Sequence, residues 1–373
     1  MKKITISVIN DLVTDQRVQR MISTLQKEEV EIILLGRKLP NSLPMPETSY
    51  AYKRMSMLFK KGPLFYAFFN FRLFFLLLFG KRQDLFISND LDTLLANYLV
   101  SKIRKIPLLY DSHEYFTEVP ELTDRPGTKK IWERIERWIL PNIKHAITVS
   151  DSIALAYREK YGTQFLVIRN VSRDRTREDD PTFHDLYNSR YKIIYQGALN
   201  IGRGLEMLIS AMQWIPDTIL LIAGDGDIRF ELQQLVKQLK ITDKVVFPGK
   251  IAPAMLHKIT SQCDLGFSLE EDLGLNYRMA LPNKIFDYIQ ARIPVMCSDL
   301  PEMGALINYY KIGEIVRSRD PSDLASQIHA VLKNDAIRKS WGLNLDVAAE
   351  ELCWEKEELK FSGLLENIWK ERK

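Results

Sequence analysis

The stretch Leu281-Pro282-Asn283-Lys284-Ile285-Phe286-Asp287-Tyr288, followed by Ala291-Arg292-Ile293-Pro294-Val295, decides how the chain is read. Pro282 has no amide hydrogen to lose and its fixed φ suits a first helical turn, so a helix is expected to begin there. The free N–H groups of that turn face whatever lies in front of the helix and favour an anion. Lys284 adds a mobile cation at the same end. Asp287 follows Lys284 by three residues and Asn283 by four, which puts all three on one helical face. A carboxylate one turn below a phosphate-ready helix end can accept hydrogen bonds from ribose hydroxyls. Helix end, lysine and carboxylate make a site shaped for a nucleotide diphosphate. The competing reading is an amphipathic helix with one solvated Lys–Asp pair.

The pattern Leu-Pro-x-Lys-x-Phe-Asp-Tyr-x-x-Ala-x-x-Pro-Val resembles the donor-binding segment of the retaining GT-B glycosyltransferases, the group 1 or GT4-like family. The resemblance implies an α/β fold of two Rossmann-like domains whose parallel sheets face a central cleft, with acceptor on the first and donor on the second. It further implies a nucleotide-diphosphate sugar as donor substrate, a glycan or lipid-linked acceptor, and a role in bacterial-type surface polysaccharide synthesis. Retention of configuration follows from the resemblance alone. In the family the backbone of Pro282, Asn283 and Ile285, the Lys284 amine and the Asp287 carboxylate would hold the donor. The usual segment has two glutamates eight residues apart and a Gly-x-Pro-Val ending. Here Met279 and Asp287 occupy the glutamate positions and Arg292 that of the glycine. Glu270 or Glu271 can supply the missing carboxylate only from a different loop register.

A length of 373 residues exceeds one typical core and predicts two or more domains. With 46% apolar and 27% charged residues the composition is that of a globular protein, and a net charge of +4 gives no argument for nucleic acid. Cys263, Cys297 and Cys353 are scattered, so neither a disulfide framework nor a zinc site is indicated and a reducing cytoplasm fits. The chain enters the strand-like run Ile4–Ile9 directly, so no signal peptide is expected.

Ile4–Ile9, a helical pattern from Thr14 to Leu25 and the apolar run Val30–Gly36 make a βαβ unit, hence a parallel sheet. Loops at the carboxyl ends of such strands face the ligand crevice, which makes Asp15 and Arg17 acceptor-side candidates. Alternatively Thr14 or Asp15 caps the helix and Arg17 is solvated. Leu64–Phe79 is rich in Phe and Leu, interrupted by Asn70 and Arg72, and too short to span a bilayer. It is expected either to be buried against the sheet or to lie on an anionic membrane surface, with Lys60, Lys61, Lys81 and Arg82 at its ends. A peripheral position on the inner face of the plasma membrane follows from the second reading. Asp90-Leu91-Asp92 is read as a helix start and not as a metal site. Asp111-Ser112-His113-Glu114 follows a central strand and resembles the family's active-site edge, where the histidine reaches the donor sugar. Imidazole can donate to a sugar hydroxyl, so His113 is the catalytic candidate, with Glu114, Glu118 and Glu121 on the same rim. The first domain is expected over 1–171.

Residues 172–190, packed with Arg, Asp and Glu, read as an exposed connection. A second βαβ series over 191–345 opens with the loop Gly197-Ala198-Leu199-Asn200-Ile201-Gly202-Arg203-Gly204. It is similar to a family loop in which a lysine stands where Arg203 stands here. Glycines let backbone N–H groups approach a phosphate and a guanidinium can bind it bidentately. Gly197 and Gly204, Gly224 after the next strand, and backbone at Lys250 and Ile251 complete the expected donor site. Arg203 and Lys284 would stabilise the leaving diphosphate, with no cofactor and no metal. Helices over 346–373 are expected to cross back to the first domain. An epimerase of the same architecture and a silent sugar-nucleotide-binding subunit are the alternatives.

Overall fold

The computed structural model describes every residue except Asp11, Thr14, Pro40, Asn41, Leu43, Pro120, Glu121, Thr123, Asp124, 176–189, Arg372 and Lys373. Most of the expected connection over 172–190 therefore lies outside the described residues, as do Thr14 and Glu121. The chain forms two compact units. Met1–Asn170, Gly274–Asn276 and Glu358–Lys373 make the first; Val171–Leu273 and Tyr277–Glu357 make the second.

The first unit is built on seven parallel strands in the order β3-β2-β1-β4-β5-β6-β7. These are β1 (Lys3–Ser7), β2 (Glu31–Arg37), β3 (Ala51–Met55), β4 (Leu85–Asn89), β5 (Leu108–Ser112), β6 (His145–Thr148) and β7 (Leu166–Val167). Helices α1 (Gln16–Lys27), α2 (Pro63–Phe79), α3 (Leu91–Arg104), α4 (Pro126–Ile139) and α5 (Asp151–Tyr161) connect them. Central strands covered on both faces must be apolar on both, and Ile4, Ile6, Phe86, Ile87, Leu109 and Tyr110 are all buried. Ile6 lies opposite Leu34 on one side and Ile87 on the other. The strand order turns back between β1 and β4, so the loops after these strands diverge and leave a crevice at their carboxyl ends. Strand β3 has no counterpart in the sequence reading. It is an edge strand with Tyr52 and Lys53 exposed, so it lacks the apolar run that marks the others.

Arg17 fastens this unit at the carboxyl ends of its strands. It is 2% exposed. Its Nε and Nη2 donate to the two oxygens of Asp111 at 2.8 and 2.7 Å, and its Nη1 donates to the Ile168 carbonyl at 2.8 Å. The expectation that Arg17 is either an acceptor contact or solvated is corrected here. Its guanidinium is spent on the fold, and it positions Asp111. Arg17→Met removes the charge and leaves a buried carboxylate short of its partner, which should cost about 3–5 kcal/mol in urea unfolding. A loss below ~1 kcal/mol would mean that His113 alone satisfies Asp111.

The second unit has six parallel strands in the order β10-β9-β8-β11-β12-β13. They are β8 (Tyr191–Gln196), β9 (Thr218–Ala223), β10 (Val245–Gly249), β11 (Leu265–Ser268), β12 (Val295–Ser298) and β13 (Gly313–Val316). Its helices are α6 (Leu205–Ala211), α7 (Arg229–Gln238), α8 (Pro253–Thr260), α9 (Leu275–Met279), α10 (Asn283–Gln290), α11 (Pro301–Tyr310), α12 (Pro321–Lys333), α13 (Asp335–Glu351) and α14 (Trp354–Lys370). Helices α9 and α14 each contribute residues to both units. Within the first unit, Glu358 of α14 accepts from Lys27 Nζ at 2.7 Å.

Candidate functional site

In the second unit two cations converge on one buried carboxylate. Glu270 follows β11 and is 1% exposed. Its Oε1 accepts from Lys284 Nζ at 2.6 Å and from Arg203 Nη1 at 3.3 Å, while Oε2 accepts from Ser268 Oγ at 2.7 Å. Burial on its own would raise the Glu270 carboxyl. Lys284, Ser268 and Arg203 overcome it and hold the carboxyl below its ordinary range. For Arg203 burial works against the charge and Glu270 more than restores it. The cluster therefore keeps one positive charge in excess. Arg203 Nε is buried without an acceptor among the described residues, so the guanidinium has donor capacity left.

The sequence builds this cluster from three loops. Lys284 stands in the first turn of α10, its amine 4.4 Å from the Tyr195 ring centroid and 3.3 Å from the Tyr195 hydroxyl. It is buried, which corrects the expectation of a mobile cation. Pro282 is extended (φ −63°, ψ 136°) and precedes the helix, which starts one residue later than expected, at Asn283. The Ile285 amide donates to the Pro282 carbonyl at 3.1 Å and its side chain belongs to the core. Asn283 is exposed at the helix end. Gly197 (φ 135°) lies beside the Lys284 stem, 3.5 Å from Cε to where a Cβ would stand. A Cβ on Gly224 (φ 149°) would fall 1.9 Å from the Gly197 carbonyl oxygen, so only glycine lets these strand ends meet. Gly204, in left-handed conformation, opens α6 directly after Arg203.

Asp287 does not pair with Lys284, although both lie on α10. Its Oδ2 accepts from Gln196 Nε2 at 3.0 Å and its Oδ1 from Ser172 Oγ. Thr260 fixes Gln196 in turn, its hydroxyl donating to Gln196 Oε1 at 2.8 Å. Half-buried and held on both sides, Asp287 keeps lone pairs for a further donor. Lys250 is exposed after β10, its amine 3.9 Å from Asp225, and Ile251 is half-buried beside it. Arg319 was not anticipated. Its Nη1 donates to Ser298 Oγ at 3.2 Å and its Nη2 to the Leu269 carbonyl at 3.2 Å, and it pairs with Glu271 at 3.4 Å. It follows β13 with no motif around it, so only the fold reveals it. The two candidate carboxylates thus differ: Glu270 is committed to Lys284 and Arg203, and Glu271 is half-exposed.

In the first unit His113 sits between carboxylates at the ends of β4 and β5. Its Nδ1 lies 3.3 Å from Asp90 Oδ2 and its Nε2 lies 3.1 Å from Asp111 Oδ2. Its backbone N–H donates to Asp90 Oδ1 at 2.8 Å. Burial disfavours the imidazolium, but Asp90 and then Asp111 outweigh it and raise the His113 pKa to about 10. Asp90 makes no side-chain cap on α3, contrary to expectation; it stands at φ 57° and serves His113 instead. Asp92 is pushed well above the carboxylate range by burial and by Asp90, and its Oδ1 has no partner among the described residues. Asp15 caps α1, accepting from the Val18 amide at 3.1 Å. Glu118 pairs with Lys129 at 2.8 Å, and the Glu114 carbonyl accepts from Ser112 Oγ at 2.8 Å.

His113 is thus an imidazolium through neutral pH. Its folded pKa is raised, so its ion pairs contribute fully below the unfolded value of about 6.5 and are lost as pH rises through about 10. An NMR titration of the His113 ring should show its midpoint near 10, whereas one near 6.5 would contradict the paired geometry.

Two parallel sheets, each with its polar residues gathered at strand ends, define a pair of Rossmann-like units. Residues 15–171 match the family model described as Glycosyltransferase Family 4, and residues 176–345 match that described as Glycosyl transferases group 1. The chain belongs to the group 1, GT4-like glycosyltransferases. It is 27% identical over 217 residues to the chitobiosyldiphosphodolichol beta-mannosyltransferase of Debaryomyces hansenii, covering 52% of this chain and 43% of that protein. The chain spans less than half the length of the first curated relatives it matches, 43%, 37% and 41%. Among solved structures it is similar to a sucrose-phosphate synthase from Thermosynechococcus elongatus (TM-score 0.80, 17% identity, 99% of each chain). It is also similar to Alr3699/HepE of Anabaena in complex with UDP (TM-score 0.73, 15% identity, 98% of this chain and 100% of that one). At these identities the structures speak for the fold, which is GT-B.

Proposed function

We propose that the protein transfers a sugar from a nucleotide-diphosphate sugar to a glycan or lipid-linked acceptor, with retention of configuration and without a metal, in surface polysaccharide synthesis. The observation that carries this is the Lys284–Glu270–Arg203 cluster at the start of α10, a fixed positive site beside glycine backbone. It suits a leaving diphosphate, whose charge grows as the glycosidic bond breaks. Two fixed cations supply the stabilisation for which a divalent metal is used elsewhere. Asp287 and the exposed end of α10 take the nucleotide side. The relative from Debaryomyces hansenii bears a name that describes a lipid-linked glycan acceptor, which supports the same class here. His113, whose ring nitrogens face Asp90 and Asp111, acts on the donor sugar through its positive charge. The stripe of α2 within Leu64–Phe79 would rest on an anionic membrane surface on the cytoplasmic side; no helix among the described residues is long and apolar enough to cross a membrane.

Arg203→Ala and Lys284→Ala should each lower kcat about 10²–10³-fold, with a smaller change in donor KM. Turnover near wild type in both would remove the cluster from the reaction. Activity should survive EDTA, and the product anomer read by proton NMR should match the donor. Strict manganese dependence would return attention to Asp90 and Asp92. Asp287→Asn should weaken the ribonucleotide donor more than its deoxyribose analogue; equal losses would make Asp287 a structural residue.

A further inference from the structure

We propose that α4 carries a second membrane contact, so that α2 and α4 form one docking surface for an anionic lipid leaflet. The proposal rests on the membrane reading of Leu64–Phe79 given above and extends it to an element with no sequence motif. Helix α2 has two opposed stripes. Phe65, Phe69, Leu73 and Leu77, spaced by four, are buried. On the other side Leu64, Phe71, Phe75 and Phe79 are 62%, 60%, 39% and 78% exposed. Their rings contact one another along the helix, Phe71 to Phe75 at 4.8 Å and Phe75 to Phe79 at 5.9 Å.

Helix α4 repeats the arrangement with more charge. Trp132, Glu136 and Ile139 face inward. Ile131 and Trp138, two turns apart, are 51% and 52% exposed. Lys130, Arg134 and Arg137 are exposed on the same side, since spacings of three and four bring them into one stripe. An apolar pair among basic residues on a strongly amphipathic helix is the pattern of an element lying in a lipid interface. Among the described residues none of these three, nor Lys60, Lys61, Lys81 or Arg82, forms an ion pair; Glu133, one turn from Lys130 and Arg137, is the one carboxylate that helical spacing brings near the α4 stripe. Their charge is left for an outside partner.

The fold puts both stripes on one side of the first unit. The connections β3–α2–β4, β4–α3–β5 and β5–α4–β6 run in one direction across the sheet, and right-handed crossovers then place all three helices on the same face. Ring contacts confirm the layer. Trp132 of α4 meets Tyr66 of α2 edge-on at 5.2 Å, and Trp138 meets Tyr98 of α3 at 5.7 Å. A protein partner would need carboxylates to answer the basic residues and a shaped pocket for four phenylalanine-sized groups. A bilayer with anionic headgroups answers both at once. Headgroup phosphates meet the Lys and Arg side chains, and the acyl boundary takes the rings.

The test is flotation of the full chain with phosphatidylglycerol-containing vesicles and with neutral phosphatidylcholine vesicles, alongside quenching of Trp138 by brominated lipid. Wild type should float with the anionic vesicles only, and quenching should fall when Trp138→Phe is compared with wild type. Lys130→Ser/Arg134→Ser/Arg137→Ser, checked by circular dichroism, should bind about 100-fold more weakly, at roughly fivefold per basic residue. Wild type that stays in the soluble fraction with anionic vesicles would end the membrane reading altogether. Wild type that floats, with the triple variant floating equally and no Trp138-dependent quenching, would leave α2 as the contact and overturn the role of α4.

Discussion

One oxygen of Glu270 receives hydrogen bonds from both Lys284 and Arg203, and the chemistry of the second unit depends on that sharing. Two cations brought this close in a buried setting would repel each other and would each lose hydration. The carboxylate between them offsets both costs. It also fixes where the charges point, as the proposed role of meeting a growing negative charge without reorganising requires. Ser268 on the second oxygen and the Tyr195 ring against the lysine amine restrict the geometry further. Glu270 is therefore a positioning residue: it keeps the excess at one positive charge and leaves Arg203 with donor capacity unspent.

The first unit uses the opposite sign in the same way. There a histidine is held charged by Asp90 and Asp111, and Asp111 is itself pinned by Arg17. Burial drives Asp92 towards its neutral form, Arg17 and His113 keep Asp111 ionised, and Asp90 and Asp111 hold His113 protonated. Each group gets its protonation state from its neighbours and its depth. The parallel sheet makes this possible because α1, β4 and β5 all bring polar residues to one edge, where adjacent strands can pair side chains from distant parts of the chain.

Much of the layout was legible in the sequence. Buried parallel strands have to be apolar runs, so β1, β2, β4, β8 and β9 announce themselves. A lysine after Leu-Pro-Asn and an arginine before Gly204 mark the two cations. Strand β3 was hidden because an exposed edge strand needs no apolar run. The Arg17–Asp111 pair was hidden because its partners are 94 residues apart, and the motif that begins at Asp111 carries no sign of an arginine partner. Glu270 and Glu271 look equivalent in sequence. Only the turn after β11 decides that the first goes inward to Lys284 and the second outward to Arg319. The basic stripe of α4 was equally silent, since Ile131 and Trp138 would pass for core residues until their exposure is known.

In the proposed reaction Lys284 and Arg203 receive a diphosphate. A crystal structure with a bound nucleoside diphosphate tests it most directly. Phosphate oxygens are expected within hydrogen-bond reach of the Lys284 amine and the Arg203 guanidinium, in front of the first turn of α10, with Glu270 still holding both cations. A nucleotide bound with its phosphates away from Lys284 and Arg203 would contradict it.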